Sequence, residues 1–186
     1  MNDQSAPSPA DTPVLILTGP PGVGKTTAAA TLAGRHPAAV HLEGDAFFRF
    51  IRSGYVEPWR PESQEQNSLV MGILAAAAAS YAAAGYFTIV DGIVIPGRFM
   101  ERLRDHLQAA GMQVTFAVAR APLSLCAARL REREGLSGEP EAIERIWSEF
   151  ADLGALESHA IEVTGLSPEQ TADEIERLLA TGSLAV

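Results

Sequence analysis

The sequence predicts an α/β domain: a five-stranded parallel β-sheet with helices on both faces. Three observations carry that expectation. Five short apolar runs recur along the chain, each bounded by Gly, Pro or polar residues. Stretches with helical patterning separate them. The 186 residues also suit one domain with a single substantial core. Strands and helices alternating in this way bury a sheet between two helical layers.

The elements follow in order. MNDQSAPSPADT (1–12) is polar and contains proline, and reads as a disordered tail ahead of a domain spanning 13–186. PVLILT (13–18) is a continuous apolar run, as expected of a central strand buried on both faces. Gly and Pro follow, and then an Ala-rich helix over 25–34. AVHLEG (39–44) is the second strand, with a helix from Asp45 to about Ser53. Pro58 and Pro61 interrupt the chain before a long helix over 62–84, with Gly72 as the place for a kink. YFTIVDG (86–92) is the third strand, and a helix from Pro96 to Ala110 stops at Gly111. QVTFAVA (113–119) is the fourth strand, followed by a helix from Pro122 to Glu134. GLSGEP is a hinge, and 140–155 returns to helix. AIEVTG (160–165) is the fifth strand. The last helix opens with Ser167 as N-cap, Pro168 at its first position and Glu169 and Glu174 toward its N-terminal side.

The formal net charge is −9, and the 23 acidic residues are scattered. That balance argues against a general nucleic-acid binder, which carries a basic face, but leaves room for an anion in a local pocket. The single cysteine, Cys126, lies in the apolar stretch LSLCAARL and reads as a buried structural thiol. With no basic segment leading into an apolar one at the start, a cytoplasmic protein is expected. Leu69 to Val90 carries no charge and has the length of a membrane span. Its centre is Ala, Ser and Gly, which insert weakly, and Gly85 divides it, so a buried helix followed by a strand is expected, with no membrane partner.

The only lysine in the chain is Lys25. It closes Gly19-Pro20-Pro21-Gly22-Val23-Gly24-Lys25-Thr26, which fits G-x-x-x-x-G-K-[ST] between a strand and a helix. Glycines there let main-chain N–H groups turn inward around phosphates, and the following helix adds its positive end. Lys25 is the cation expected at the β- and γ-phosphates, and Thr26 the hydroxyl expected at Mg²⁺. Thr27 completes the nucleotide contacts.

Asp45 follows the second strand, at the carboxyl edge where ligands bind. A carboxylate there can orient an acceptor hydroxyl and take its proton. Asp91 ends the third strand and is expected on the Mg²⁺ side of the site and beside the acceptor. Arg129 and Arg133 share one face of the fifth helix. Arg133 is expected to neutralise charge on the transferred phosphate and Arg129 to lie near the adenine. Gly135 and Gly138 permit a lid over about 133–145. The acceptor region is expected over 45–70 and the loop after Asp91, with Arg49, Arg52 and Arg98 as its charged contacts. It also holds Phe47, Phe48, Tyr55, Trp59, Gln66 and Asn67. Phe47 and Ile51, one turn apart, are expected in the core.

These features together resemble the small P-loop kinases, a group that includes shikimate, gluconate and adenylate kinases, and most of all chloramphenicol phosphotransferase and similar bacterial small-molecule kinases. GDAFF resembles that group's acid after strand two, with Asp45 at the base position. TIVDG resembles its acidic pair after strand three, although Gly92 stands where the second acid would be. Arg120, Arg129 and Arg133 repeat its arginine spacing. The likeness runs from residue 13 onward and implies strand order 2-3-1-4-5, with ATP and Mg²⁺ as cofactors. An ATP-dependent kinase acting on a small hydroxylated molecule, metabolite or antibiotic, is the reading this supports, as monomer or homodimer. A nucleotide or nucleoside monophosphate kinase is the second reading. A nucleotide-switch ATPase is the third, because GPPGVGKTT also resembles the loop of AAA-type ATPases.

Overall fold

Each residue of VLILT is buried, and the run forms the central strand β1 (Val14–Thr18). Strand side chains alternate between faces. Val14 and Ile16 therefore enter one apolar cluster and Leu15 and Leu17 the other. The computed structural model describes residues 13–134 and 140–186, with the side chains of 133, 134 and 140 outside the description. The expected tail and residues 135–139 of the hinge thus lie outside the described residues, and the expected lid over 133–145 is described at 133–134 and from Pro140 on, as helix.

Parallel to β1 run β3 (Phe87–Gly92) on one side and β4 (Val114–Arg120) on the other. Strand β2 (Ala39–Glu43) pairs outside β3, and β5 (Ala160–Glu162) outside β4. The order is β2-β3-β1-β4-β5, as the resemblance implies. All the strands point one way, so their carboxyl ends gather along a single edge.

Helices α1 (Lys25–Ala33) and α7 (Pro168–Ala180) cover the face that carries Leu15 and Leu17. Helices α3 (Gln64–Ala83) and α4 (Met100–Ala109) cover the face that carries Val14 and Ile16. Burial accounts for one face of the uncharged stretch of α3, while Leu69, Ile73 and Tyr81 stay exposed. Met71, Leu74, Ala75, Ala78 and Ala82 all sink into the cluster on the sheet side, and among the described residues no helix is long and apolar enough to cross a membrane. The remaining helices, α2 (Gly44–Arg49), α5 (Leu123–Glu134) and α6 (Pro140–Ser148), surround the carboxyl edge of the sheet.

Several elements differ from expectation for identifiable reasons. Helix α2 stops at Arg49 rather than near Ser53, and Gly54 beyond it turns left-handed at φ 74. Helix α4 begins at Met100, not Pro96, because Gly97 at φ 76 makes Pro96–Phe99 a turn, closed by Glu101 accepting from Gly97 N at 2.9 Å. Helix α3 passes Gly72 without a break. Helix α6 ends at Ser148; Phe150 and Leu153 then turn inward, and a 3-10 turn spans Gly154–His159. Strand β5 is short because only its first residues face β4. The other half of the β4 edge is closed from the C-terminal end, where Phe116 N donates to Leu184 O at 2.8 Å and Thr115 bridges Ala185 antiparallel.

Candidate active site: a phosphate loop beside an apolar cavity

The loop between β1 and α1 is packed too closely for side chains at two of its glycines. A Cβ on Gly19 would lie 2.3 Å from the Ala119 carbonyl oxygen, and one on Gly22 would lie 2.3 Å from that of Cys126. Both also hold positive φ, 147 and 77. The loop ends at Gly24, which caps α1 with no side-chain hydrogen bond, and the first turn of α1 has no acidic residue. The main-chain N–H groups of this terminus and its positive dipole end are therefore left for an anion. Lys25 lies at the first helical position, 7% exposed.

Thr26 Oγ1 donates to Asp91 Oδ1 at 3.3 Å. Asp91 is 3% exposed, and its other oxygen, Oδ2, lies 2.5 Å from His41 Nε2. His41 is on β2, where its register partner is Ile89; Asp91, two residues further along β3, is its diagonal neighbour on the same face. Sequence reasoning missed His41, since a histidine in a short strand has no motif around it. Among the described residues no group of three or more His, Cys, Asp or Glu could hold a metal by itself. One hydroxyl and one carboxylate form a hard-oxygen pair of the kind Mg²⁺ uses when phosphates and waters supply its other ligands.

Arg129 reaches back from α5, its Nη1 donating to Val23 O at 2.9 Å. With Gly24, Thr27, Val163 and Leu166 it lines a cavity of about 260 Å³ on the α7 side of the loop. Arg120 does not join it. Its guanidinium bonds Glu157 at 2.7 Å and Glu162 at 2.6 Å, tying β4 to β5 and the turn before it. Those bonds, with Glu157 first, raise the Arg120 pKa, and the same contact lowers that of Glu157. The side chain of Arg133, expected on the phosphate, lies outside the described residues. The thiol of Cys126 is fully buried, and desolvation pushes its pKa up, as a structural cysteine requires.

On the α3 side of the same sheet edge lies a larger cavity of about 790 Å³. Asp45, Arg49 and Arg52 line it from α2 and the chain beyond. Gly92 to Ile95 and Arg98 line it from the loop after β3. The two sides of the edge are joined at Thr18, whose Oγ1 accepts from Val94 N at 2.9 Å and donates to Val94 O at 3.2 Å. The expected region 45–70 is only one wall. Met71 and Leu74 add a second from α3, and Arg145, Ile146 and Glu149 add a third from α6 and its end. Nothing in the sequence placed α6 here, because its amphipathic pattern does not say which cavity it faces. Asp91, expected beside the acceptor as well as the metal, is not among the lining residues; it faces Thr26. Of the two expected core residues, Phe47 packs against the α3-side cluster, whereas Ile51 lines the cavity.

Gln66 and Asn67 shape this cavity from outside. Gln66 accepts from Val56 N at 2.9 Å and donates to Val56 O at 2.6 Å, and Asn67 donates to Pro58 O at 2.8 Å. These bonds fix the loop that carries Tyr55 and Trp59. Burial first, then the nearby carboxylates of Glu57 and Asp45, push the Tyr55 hydroxyl above its ordinary pKa, so it stays protonated.

A phosphate loop, an open helix terminus and a parallel sheet of this order define a P-loop nucleotide-binding fold. The family model for the AAA domain matches residues 14–153, and the chain belongs to that family. Among solved structures it resembles the APS kinase CysC of Mycobacterium tuberculosis in complex with AMPPNP and APS, with TM-score 0.72, 19% identity, and coverage of 90% of this chain and 97% of that one. It also resembles the tunicamycin resistance protein of Deinococcus radiodurans, with TM-score 0.68, 24% identity and coverage of 90% and 95%. A third is a gluconokinase from Sinorhizobium meliloti, with TM-score 0.65, 17% identity and coverage of 92% and 94%. Likeness at such identities is a likeness of fold. A search among curated proteins gives no match.

Proposed function

We propose that the protein is an ATP-dependent phosphotransferase that moves the γ-phosphoryl group to a hydroxyl of a small molecule. The observation that carries this reading is the second cavity. A nucleotide switch needs only the phosphate loop and its neighbours, whereas here a cavity of about 790 Å³ opens on the same sheet edge with Asp45 in its wall. The kinases of like fold support it.

In this mechanism the main-chain N–H groups of Gly22, Gly24, Lys25 and Thr26 hold the nucleotide phosphates, since Pro20 and Pro21 have none to donate. Arg129 and the cavity beside Val163 receive the base. Thr26 and Asp91 would hold Mg²⁺, which would supply neutralisation of phosphate charge, and His41 would fix the Asp91 carboxylate. Asp45 orients the acceptor hydroxyl. As the hydroxyl oxygen forms its bond to the γ-phosphorus, the bond to the bridging oxygen breaks and ADP leaves with that electron pair. The hydroxyl proton passes to the Asp45 carboxylate and then to solvent. Lys25, and Arg133 on sequence grounds, stabilise the charge spread over the transferred group.

Asp45→Asn tests the assignment: nucleotide binding is retained while kcat falls by about 10²–10⁴-fold. Full turnover in this variant would remove Asp45 from the mechanism. The arginines around the cavity also favour a second reading, transfer onto the phosphate of a nucleoside monophosphate. Asp45 weighs against it, since a carboxylate at the attacking atom repels an anionic nucleophile. Phosphorus NMR of the product separates the two, a phosphate ester in one case and a diphosphate in the other.

A further inference from the structure

The walls and the rim of the larger cavity make different demands, and together they narrow the acceptor. The walls are formed by Phe48, Ile51, Met71, Leu74, Val94 and Ile146. At about 790 Å³ the cavity falls in the range for drug-sized ligands, ~300–1,000 Å³. A polyol or sugar acid suits these walls poorly, because its buried hydroxyls would find no partners there. An aromatic or aliphatic body suits them well. Tyr55 and Trp59 line the same cavity at 45% and 46% exposure, so aromatic surface is left there for a ligand to cover.

The rim is cationic in a chain of net charge −9. Arg49, Arg52, Arg98 and Arg145 line the cavity against only two carboxylates, Asp45 and Glu149. Arg49 has Glu43 at 3.8 Å, and Arg98 has Glu149 at 3.4 Å. Among the described residues Arg52 and Arg145 form no ion pair. A guanidinium fork matches a carboxylate, sulfate or phosphate in shape and charge.

We propose, resting on the kinase reading above, that the acceptor is an amphipathic anion. It is an alcohol whose aromatic or aliphatic body lies on the cavity walls and whose anionic group is held by Arg52 and Arg145. Glu149 then limits the charge accepted, because its carboxylate already occupies Arg98.

Matched alcohols test this: benzyl alcohol against 4-(hydroxymethyl)benzoate, uridine against uridine 5′-monophosphate, and gluconate as an anion without an apolar body. Each is titrated onto protein saturated with AMPPNP and Mg²⁺, then assayed for ADP release with ATP. The anionic member of each pair binds about tenfold or more tightly than its neutral twin, and gluconate binds weakly. R52A/R145A erases the preference by lowering the affinity of each anionic member to that of its neutral twin, while Glu149→Gln widens it. Neutral twins binding equally well, gluconate binding best, no anionic probe binding, or arginine variants that keep the preference would each overturn the proposal. Failure of AMPPNP itself to bind would overturn the kinase reading instead.

Discussion

Helices α1 and α7 pack side by side on one face of the sheet, yet their N-termini are built in opposite ways. Helix α7 starts with a full capping box. Ser167 Oγ accepts from Gln170 N at 3.2 Å, the Gln170 side chain accepts from Ser167 N at 2.8 Å, and Pro168 opens the helix. Helix α1 starts at a left-handed glycine with no side-chain cap and no acid in its first turn. Uncapped N–H groups and an unbalanced dipole destabilise a free helix. Helices α2, α3 and α4 also lack a side-chain cap, but each carries an acid in its first turn, Asp45, Glu65 and Glu101; α1 has neither and faces the phosphate loop. The difference teaches where function lies: local stability rules hold at α7 and are broken at α1, and a triphosphate would restore them. The two helices are nevertheless held together, since Arg35 beyond α1 bonds Asp173 at 2.7 Å, Glu176 at 2.9 Å and the Glu169 carbonyl at 2.9 Å.

Substitutions at the two ends break or sharpen the comparison. The largest effect is expected at the open end, where Lys25→Ala lowers kcat by about 10²–10³-fold or more. It moves Tm by no more than about 3 °C, so activity assays and a thermal melt of the same sample separate chemistry from folding. Gly22→Ala comes next: its Cβ has no room beside the Cys126 carbonyl and its φ is unfavourable, so the variant loses nucleotide affinity and about 2–4 kcal/mol of stability. Isothermal titration with AMPPNP and chemical denaturation read the two losses. At the capped end Ser167→Ala loses about 1 kcal/mol of stability and no activity; a fall in kcat would show that the α7 terminus also serves the site. The smallest effect is a pH dependence. The Ser167 hydroxyl holds the Glu169 carboxyl below the usual glutamate range. The stability this adds is present at neutral pH and fades as pH falls through the lowered value. A Tm–pH profile of Ser167→Ala is correspondingly flatter on its acid side.

Much of this fold was legible because its signals are local. The five apolar runs became five strands, and the Ser167–Pro168 start became the capping box. Errors gathered where a glycine took a left-handed turn inside a plausible helix, as at Gly97, or where apolar residues turned inward after a helix, as at Phe150 and Leu153. Both outcomes depend on what the segment packs against, which periodicity does not record.

The site divides in the same way. The phosphate loop with Lys25 and Thr26 was legible because that motif has fixed spacing along one strand–loop–helix unit, and the place of Asp45 at the sheet edge because it closely follows the second strand. His41 against Asp91, Arg120 spent on Glu157 and Glu162, and α6 bringing Arg145 and Glu149 to the cavity were decided by tertiary structure alone. Those contacts join residues far apart in the chain, and their geometry follows from strand register and helix docking, which no short stretch of sequence encodes.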